Sequence, residues 1–389
     1  MGDITRSAFQ GINTASDKVK YSETGTPILQ SKHITSGKIS FEDIRYIDKE
    51  QYSNYFPRYV PLTNDILFAN IGTIGPSTVV TDENEFLVAW NILKITLSNP
   101  KMAKFVQLQL EKLNQKHYFE LVLTGNATKF VNKDEMLRTP ILVPSIEEQE
   151  SIGMLFSNLQ NTIALHQRKL EQLKQLKQGF LQVLFANDTN VPKVRFAGFT
   201  EEWEQRKLGS LVEFYSGLTY SPDNITNENG TFVLRSSNVK GGEIVNADNV
   251  YVDSAVVNSD NVKVGDIIVV VRNGSRELIG KHAQIKDNMN DTVIGAFMTG
   301  IRCQESNFTN SLLDTKQFKM EINKNLGATI NQITIGSFKK MIFCVTINKK
   351  EQLKIGAFFK QLDDTLTLHQ NKISQLKKLK KAFLQKMFI

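Results

Sequence analysis

Two stretches of 40 residues decide the fold: EEQESIGMLFSNLQNTIALHQRKLEQLKQLKQGFLQVLFA at 147–186 and KEQLKIGAFFKQLDDTLTLHQNKISQLKKLKKAFLQKMFI at 350–389. Aligned without a gap at an offset of 203, they share 20 identical positions, such as Glu148 with Glu351. Self-similarity at a fixed offset indicates an internal duplication. The chain is therefore predicted to consist of two similar halves, each ending in one of these stretches.

Apolar residues in both stretches recur in steps of four and three, which is typical of a coiled-coil seam. Neither stretch contains proline, so each is predicted to form one long helix. A helix of roughly 38 residues spans about 57 Å and needs a partner, and the other copy is the obvious one. The predicted seam residues are Ile152, Phe156, Leu159, Ile163, His166, Leu170, Leu173, Ile355, Phe359, Leu362, Leu366, His369, Ile373 and Leu376.

His166 and His369 lie in the predicted seam itself. Such a pair can form a metal or pH-sensitive site, or it can be a polar element that fixes the helix register. We favour the register role and predict no metal site, because no other His or Cys is placed to complete a metal shell.

The segments before the two helices have short apolar runs bounded by turn residues, which predicts strands and hence α+β domains. Strands are expected within 26–31, 65–69, 86–90, 231–234, 266–271 and 342–345, and a helix is expected over 101–122. The predicted division is a first globular domain at 1–144, a helix at 145–186, a linker and second domain at 187–344, and a helix at 345–389.

Composition excludes several classes of protein. The chain has 389 residues, of which 41% are hydrophobic, and no apolar run is long enough to span a membrane. The start of the chain lacks the features of a secretory signal, and there are two cysteines, so a cytoplasmic protein is expected. Phosphate-binding, dinucleotide-binding, zinc-protease and serine-hydrolase motifs are missing, which predicts a chain without catalytic residues.

The net charge of +7 is concentrated near the ends of the two helical stretches. Residues 166–186 carry four basic and one acidic side chain, and residues 369–389 carry six basic and none acidic. The rest of the chain is close to neutral, so any basic surface there depends on local arrangement. The lysines at 377–381 can contact DNA phosphates or an acidic protein partner, or they can form an ordinary solvated face.

Polar and glycine-rich loops occur at corresponding places in the two halves. Arg and Lys can pair with guanine, Asn and Gln with adenine, and Ser and Thr with bases or phosphates. Turn chemistry alone also enriches Asn, Ser and Gly, but the pairing of loops across the halves favours DNA binding. The candidate DNA-binding residues are Gln30, Ser31, Lys32, His33, Asn70, Thr73, Thr128, Lys129, Arg235, Ser236, Ser237, Asn238, Arg272, Asn273, Ser275, Arg276, Thr329, Asn331 and Gln332.

The segment VPKVRFAGF at 191–199, with Glu202-Trp203-Glu204 and the following Lys207-Leu208-Gly209, resembles the entry to a target-recognition domain. Such domains belong to the DNA-specificity (S) subunits of type I restriction-modification enzymes. The Glu-Gln starts and Leu-Lys-rich ends of the two helical stretches are similar to that family's repeated helical regions. The resemblance covers essentially the whole chain. It departs at the first half, which starts near Met1-Gly2-Asp3 without this lead-in, so an edge element is expected to be shorter there.

The resemblance implies two target-recognition domains joined by two long helices, packed as an antiparallel coiled coil with pseudo-twofold symmetry. It implies a non-catalytic subunit that recognises a bipartite site on double-stranded DNA. The implied partners are methyltransferase (M) subunits, which methylate adenine, and restriction/translocase (R) subunits, which cleave DNA; no membrane is involved. No cofactor is expected on this chain, and S-adenosylmethionine is expected on the M subunit.

Two other interpretations stay open at this point. A coiled-coil scaffold whose globular ends bind proteins without DNA contact fits the near-neutral domains. A stand-alone methyltransferase or nuclease fits less well, because the corresponding motifs are missing. Salt separates the first case from DNA binding, since phosphate contacts make affinity fall with ionic strength.

Overall fold

The computed structural model describes residues 1–35, 37–81, 85–126, 128–186, 190–227, 229–326 and 331–388. The chain divides into two compact units. Unit 1 comprises Met1–His166 and Lys372–Ile389, and unit 2 comprises Gln167–Asn371. The domain boundaries predicted from the sequence follow the internal repeat and differ from the boundaries of these two units. They remain a prediction. Within the described ranges, no helix combines the length and hydropathy needed to cross a membrane.

The strands of unit 1 form a large antiparallel sheet, a smaller mixed sheet and a ribbon. They are β1 (Thr5–Gln10), β2 (Thr26–Leu29), β3 (Ile34–Thr35), β4 (Lys38–Ile39), β5 (Arg45–Ile47), β6 (Ile66–Ala69), β7 (Ser77–Val79), β8 (Leu87–Val88) and β9 (Ile92–Leu97). The large sheet has the order β1-β9-β6-β7, and the mixed sheet has the order β5-β2-β8 with β2 and β8 parallel. The ribbon pairs β3 with β4. All four residues of β6 are buried, as expected for an apolar central strand.

The helices of unit 1 flank these sheets. They are α1 (Ala103–Gln115), α2 (Tyr118–Leu121), α3 (Lys133–Arg138) and the long α4 (Ile146–Leu184), whose second half belongs to unit 2. The prediction of one helix over 101–122 is wrong in detail. The helix stops because His117 adopts a left-handed conformation with φ 58°, which a right-handed helix cannot include.

The strands of unit 2 repeat this plan with additions. They are β10 (Glu204–Lys207), β11 (Glu213–Ser216), β12 (Ile225–Thr226), β13 (Thr231–Leu234), β14 (Val239–Lys240), β15 (Glu243–Ile244), β16 (Val250–Val252), β17 (Ile267–Val270), β18 (His282–Gln284), β19 (Thr292–Ile294), β20 (Met298–Arg302) and β21 (Ile342–Val345). The larger sheets have the orders β11-β20-β17-β18 and β12-β16-β13-β19, with β13 and β19 parallel. Two ribbons pair β14 with β15 and β10 with β21.

The helices of unit 2 are α5 (Ser306–Leu313), α6 (Lys316–Asn325), α7 (Ile335–Lys340) and the long α8 (Lys349–Lys386), whose last part belongs to unit 1. Side-chain caps fix equivalent short helices in the two halves. Asn132 accepts a hydrogen bond from the amide of Glu135 at the start of α3 (2.8 Å), and Thr334 accepts one from Ser337 at the start of α7 (3.1 Å).

Both halves therefore have the same topology. The order β1-β9-β6-β7 matches β11-β20-β17-β18, and the parallel pair of β2 and β8 matches β13 and β19. This confirms the predicted α+β class and gives the sequence repeat a structural counterpart. The ribbon of β10 and β21 is present in unit 2, and its counterpart in unit 1 is lacking among the described residues.

The predicted seam residues lie on the covered side of each long helix. Eight of them are buried, namely Ile152, Phe156, Ile163, Leu173, Ile355, Phe359, Ile373 and Leu376. The remaining six are half-buried, namely Leu159, His166, Leu170, Leu362, Leu366 and His369. An apolar stripe of this kind is consistent with the heptad pattern, while pairing of the two helices along their whole length stays a prediction.

Candidate nucleic-acid interface

In unit 1, polar loops meet where the parallel strands β2 and β8 end. Loops that follow neighbouring parallel strands leave the sheet at the same edge. The Asn91 side chain, just after β8, bonds both the backbone amide and the hydroxyl of Ser31, just after β2, at 3.2 and 3.1 Å. The loop at 30–33 and the turn at 90–91 are thereby fixed to each other.

Asn70 joins two further loops to this corner. Its side chain donates to the carbonyl of Val131 (3.0 Å) and exchanges hydrogen bonds with the side-chain amide of Gln10 (3.0 and 3.1 Å). Its backbone amide donates to the carbonyl of Asn91 (3.2 Å). Since the Asn70 side chain is fully buried, its observed contacts hold the loops in place.

Several predicted residues of unit 1 point to solvent and others do not. Ser31, His33 and Asn70 are buried and Gln30 is half-buried, whereas Lys32, Thr73, Thr128 and Lys129 are exposed. Burial, followed by the nearby Lys32 charge, lowers the pKa of His33, which keeps the imidazole neutral at neutral pH. The exposed cations of this corner are therefore lysines.

Unit 2 has the same arrangement of loops. Asn273 donates from its side chain to the hydroxyl of Ser236 (3.1 Å) and from its backbone amide to the carbonyl of Asn331 (3.3 Å). The Asn331 side chain donates to the carbonyl of Gly274 (3.0 Å), and Arg272 forms an isolated bridge with Gln332. The three loops predicted from the sequence thus meet in this unit as well.

Buried groups again hold the loops of unit 2. Asn238 is fully buried, accepts a hydrogen bond from the amide of Arg235 (2.9 Å) and donates to the carbonyl of Ala247 (2.7 Å). The Arg235 guanidinium donates to the carbonyl of Asp248 and is half-buried, as are Ser236 and Ser237. These contacts give the loop at 235–238 a defined shape.

Exposed polar groups of unit 2 are Arg272, Ser275, Arg276 and Gln332, while Asn273 and Asn331 are half-buried. Arg272 stacks on the exposed ring of Phe297, 4.9 Å from the ring centre, which limits the motion of the guanidinium. Thr329, also predicted, lies outside the described residues. Across those residues, no group of three or more His, Cys, Asp or Glu side chains is arranged to hold a metal.

Three residues at these corners were not predicted. Gln10 and Trp90 contact each other in unit 1 through a side-chain hydrogen bond to the Trp90 carbonyl, and Phe297 supports Arg272 in unit 2. Trp90 and Phe297 are more than one-third exposed. Both follow apolar strand runs, so from sequence they look like core residues. A comparison of the residues that follow corresponding strands in the two halves, β8 and β19, could have pointed to Trp90 and Phe297 from the sequence.

Each of the two similar α+β units thus has a polar loop corner of the kind predicted to contact DNA, and a long helix follows each unit's globular part in the sequence. The chain belongs to the family described as "Type I restriction modification DNA specificity domain", which matches at residues 2–175 and 200–378. The predicted family is therefore confirmed. The comparisons give no support to a scaffold that makes no DNA contact.

Relatives cover the chain to different extents. The type I restriction enzyme MjaVIII specificity subunit of Methanocaldococcus jannaschii is 22% identical over 367 residues, which is 86% of this chain and 85% of that protein. The type I restriction enzyme StySPI specificity subunit of Salmonella potsdam is 25% identical over 264 residues, 64% of this chain. The chain spans about half the length of the latter and of a second M. jannaschii relative, 56% and 53% respectively.

Solved structures show the same fold. The S subunit of the type I restriction-modification system from M. genitalium aligns with a TM-score of 0.68 and 14% identity, over 100% of this chain and 94% of that one. A chain from a study of complex assembly and conformational transition in a type I system aligns with a TM-score of 0.54 and 16% identity, over 100% and 96%.

Proposed function

We propose that this chain directs a type I restriction-modification enzyme to a bipartite DNA site. The polar corner of unit 1 reads one short sequence and that of unit 2 reads the other. The observation that carries this is the meeting of three predicted polar loops at equivalent corners of two units with one topology. Base edges are read by such polar side chains, whereas phosphate contacts fix position.

We propose the exposed groups as the DNA contacts. These are Lys32, Thr73, Thr128 and Lys129 in unit 1, and Arg272, Ser275, Arg276 and Gln332 in unit 2. Ser31, His33, Asn70 and Asn238 position the loops, because a buried side chain reaches a base edge only if the loop changes shape. The remaining predicted residues are half-buried and could take either role, DNA contact or loop positioning. They are Gln30, Arg235, Ser236, Ser237, Asn273 and Asn331.

We also propose that α4 and α8 pair as an antiparallel coiled coil with pseudo-twofold symmetry. Each unit contains the first half of one long helix and the last part of the other. Ring contacts support this: Phe156 lies 6.1 Å from Phe388 in unit 1, and Phe359 lies 5.9 Å from Phe185 in unit 2. The two contacts involve the same pair of positions at the repeat offset of 203.

Ion pairs repeat at the same offset. Lys380 lies 3.4 Å from Glu111 in unit 1, and Lys177 lies 2.6 Å from Asp314 in unit 2. Each pair joins the end of a long helix to the globular part of its unit. The predicted division at 144, 186 and 344 then separates two DNA readers from the two helices that connect them.

The spacing of the two readers determines the length of the nonspecific DNA between the half-sites. Linked readers bind the second half-site intramolecularly, so a geometry that fits both raises affinity and specificity together. Methylation of adenine belongs to M subunits that carry S-adenosylmethionine, and cleavage belongs to R subunits. A complex of this kind is the subject of the second structural comparison.

The test is to delete one heptad from each long helix, residues 166–172 and 369–375. Seven residues shorten a helix by about 10.5 Å, which is about three base pairs, so a shorter spacer is expected with both half-sequences unchanged. The readout is sequencing of methylated adenine in cells that express the chain with its M subunit.

The matched control keeps the helix length. Arg168, Lys169 and Lys372 are exposed residues of the same heptads and are replaced by glutamine. This control should retain the original spacer. A deletion variant that methylates sites with the original spacer would contradict the proposal, since the helices would then not set the distance.

A further inference from the structure

In unit 1, an exposed arginine lies against two aromatic rings next to the polar corner. The guanidinium carbon of Arg58 is 5.9 Å from the ring centre of Phe9 and 5.4 Å from that of Tyr59. Arg58 is exposed, and 40% of the Phe9 surface is exposed as well. The ion pairs found among the described residues of unit 1 do not include Arg58. Its positive charge therefore faces solvent without a compensating carboxylate.

Buried groups fix the segment that carries Arg58. Lys94 is 8% exposed and donates from Nζ to the carbonyls of Arg58 (3.0 Å) and Val60 (3.1 Å). A buried ammonium group is costly unless its hydrogen bonds are made, so this contact holds the backbone at Arg58 in place. The buried Tyr55 packs edge-on against Tyr59, with the ring centres 5.8 Å apart. Both the backbone of Arg58 and one of its two rings are thus held by the core.

This arginine lies on the face of the large sheet that carries the mixed sheet. Phe9 is opposite Lys94 in the ladder of β1 and β9, and Lys94 is opposite Leu67 in the ladder of β9 and β6. Residues directly opposite each other share a face of a sheet. Leu67 packs in one core cluster with Val88, the last residue of β8. Arg58 is therefore on the same side of the large sheet as the loops of the corner.

Strand β1 connects this arginine to the corner. Gln10, the residue after Phe9, exchanges hydrogen bonds with the Asn70 side chain (3.0 and 3.1 Å) and donates to the carbonyl of Trp90. Since Arg58 stacks on the ring of Phe9, its guanidinium lies within roughly 15 Å of the Gln10 backbone. The major groove of DNA is about 12 Å wide and is bordered by phosphates. A duplex whose base edges meet the corner thus has a phosphate strand at about the distance of Arg58.

The corresponding surface of unit 2 has an arginine that is already neutralised. Tyr215 takes the place of Phe9 in the equivalent ladder. The Arg302 guanidinium stacks on Tyr215, 4.5 Å from the ring centre, and pairs with Asp260 (3.0 Å) and Asp266 (3.1 Å). These two carboxylates compensate the charge of Arg302. The contact between an arginine and an aromatic ring therefore belongs to an internal ion network in unit 2, whereas in unit 1 the cation is available to a ligand.

We propose that Arg58, held by Phe9 and Tyr59, binds a backbone phosphate of the DNA beside the unit 1 half-site. Phosphate contacts fix the position of a protein on the duplex and carry no sequence information directly. A guanidinium can form two parallel hydrogen bonds to a phosphate, and stacking on aromatic rings leaves its N–H edge free for them. The inference rests on the proposed DNA-reading function of the unit 1 corner, and it adds a contact outside the loops predicted from the sequence.

The test measures DNA binding by the chain with its M subunit over a series of salt concentrations. The probe is a fluorescent duplex that carries the site identified by sequencing methylated adenines. Arg58→Gln should weaken binding by about tenfold, because a charge-assisted hydrogen bond is lost. It should also lower the slope of log affinity against log salt by about one, as expected for one phosphate contact. Duplexes with single-base changes in the unit 1 half-site should all be weakened alike.

Two variants serve as controls. Arg58→Lys keeps the charge and should retain the salt slope, with a smaller loss of affinity because lysine lacks the planar fork of donors. Arg6→Gln removes an exposed arginine at the other end of β1 from the corner, and should leave affinity and slope unchanged. Equal unfolding midpoints of Arg58→Gln and the parent chain show that the variant is folded.

Three results would overturn the proposal. An unchanged salt slope for Arg58→Gln would mean that Arg58 does not bind a phosphate. A changed base preference in the unit 1 half-site would make Arg58 a base-reading residue instead. An equal loss of affinity in Arg6→Gln would reduce the effect to overall charge. A parent chain that does not bind the duplex, or binds it independently of salt, would overturn the proposed DNA-reading function and this inference with it.

Discussion

The two halves begin their long helices with the same Glu-Gln pair, yet the two glutamates have opposite environments. Glu351 is fully buried, paired with Arg195 and bonded by Trp203, whereas Glu148 is exposed. Burial alone would raise the pKa of Glu351, but the hydrogen bonds and charge of Arg195, with help from Thr346 and Trp203, hold it below its usual value. Identical residues in a repeat therefore differ in energy according to the segment that covers them.

The sharpest test of this comparison is Arg195→Ala. It leaves the Glu351 carboxylate buried without a cation, which should destabilise unit 2 by about 3–5 kcal/mol. The comparison in unit 1 is Glu148→Ala, at the counterpart of Glu351, which removes an exposed side chain and should alter stability by less than about 0.5 kcal/mol.

The chain allows each unit to be followed separately. It has two tryptophans, Trp90 in unit 1 and Trp203 in unit 2. Urea unfolding in Trp90→Phe and Trp203→Phe backgrounds therefore reports the two units one at a time. A loss below about 1 kcal/mol in unit 2 on Arg195→Ala would show that water replaces the guanidinium at little cost.

A second comparison concerns the ion pairs that repeat between the units. In unit 2, Lys177 lies 2.6 Å from both Asp314 and Asp363, and His282 lies 3.4 Å from Asp314. In unit 1, Lys380 pairs with Glu111 at 3.4 Å, and the Lys104 charge lies close enough for the two lysines to repel. Unit 2 thus has two carboxylates around its lysine, and unit 1 has two lysines near its carboxylate.

Lys177→Met and Lys380→Met should therefore differ in effect. The first leaves two partly buried carboxylates without the lysine that bonds both of them and should cost about 2–3 kcal/mol in unit 2. The second removes the repulsion between Lys380 and Lys104 and leaves Lys104 near the buried Glu111, so it should cost less, about 1 kcal/mol, in unit 1. Urea unfolding followed by the tryptophan of each unit measures both effects. Equal losses of unfolding free energy in the two units would contradict the difference in charge between the two clusters.

Part of the fold could be predicted from the pattern of apolar residues in the sequence, and the predictions that failed have physical causes. The long helices and the six strands β2, β6, β8, β13, β17 and β21 were expected, because apolar periodicity and β-branched runs are local signals. The burial of Asn70 and Asn238 was not expected from the sequence. The hydrogen-bond partners that make their burial favourable lie elsewhere in the chain, so no local pattern reveals them. The strand β10 was not among the predicted strands, since its sequence Glu204–Lys207 is polar and forms a strand by pairing with β21.

The two polar corners differ in their cation, which leads to the third prediction. Arg272→Ala should change the base preference of the unit 2 half-site by about 1–3 kcal/mol and leave the other half-site unchanged. The reason is that Arg272 is exposed and stacked on Phe297, whereas the exposed cations among the predicted residues of the unit 1 corner are Lys32 and Lys129. Sequencing of methylated adenines measures both half-sites, and the unit 1 half-site is the internal control. Equal weakening of all sequences would instead make Arg272 a phosphate contact.

The smallest expected effect is an opposite response of the two units to pH. Burial, followed by repulsion from Lys380, lowers the pKa of Lys104 to about 8, although Glu111 partly opposes this. The folded unit 1 therefore releases this proton more readily than the unfolded chain does, so its stability should increase by about 1 kcal/mol between pH 7 and pH 9.

Unit 2 should respond in the other direction because of His282. Burial alone would lower the pKa of this histidine, but its hydrogen bond to Asp314 and the charge of that carboxylate raise it above the usual value. A raised pKa contributes stability that is fully present below the unfolded pKa, about 6.5, and is lost as pH rises through the folded value. Urea unfolding at pH 6, 7, 8 and 9 should thus show unit 1 gaining stability while unit 2 loses it. Lys104→Met should flatten the first trend and His282→Gln the second, and parallel trends in both units would contradict this account of the two charge clusters.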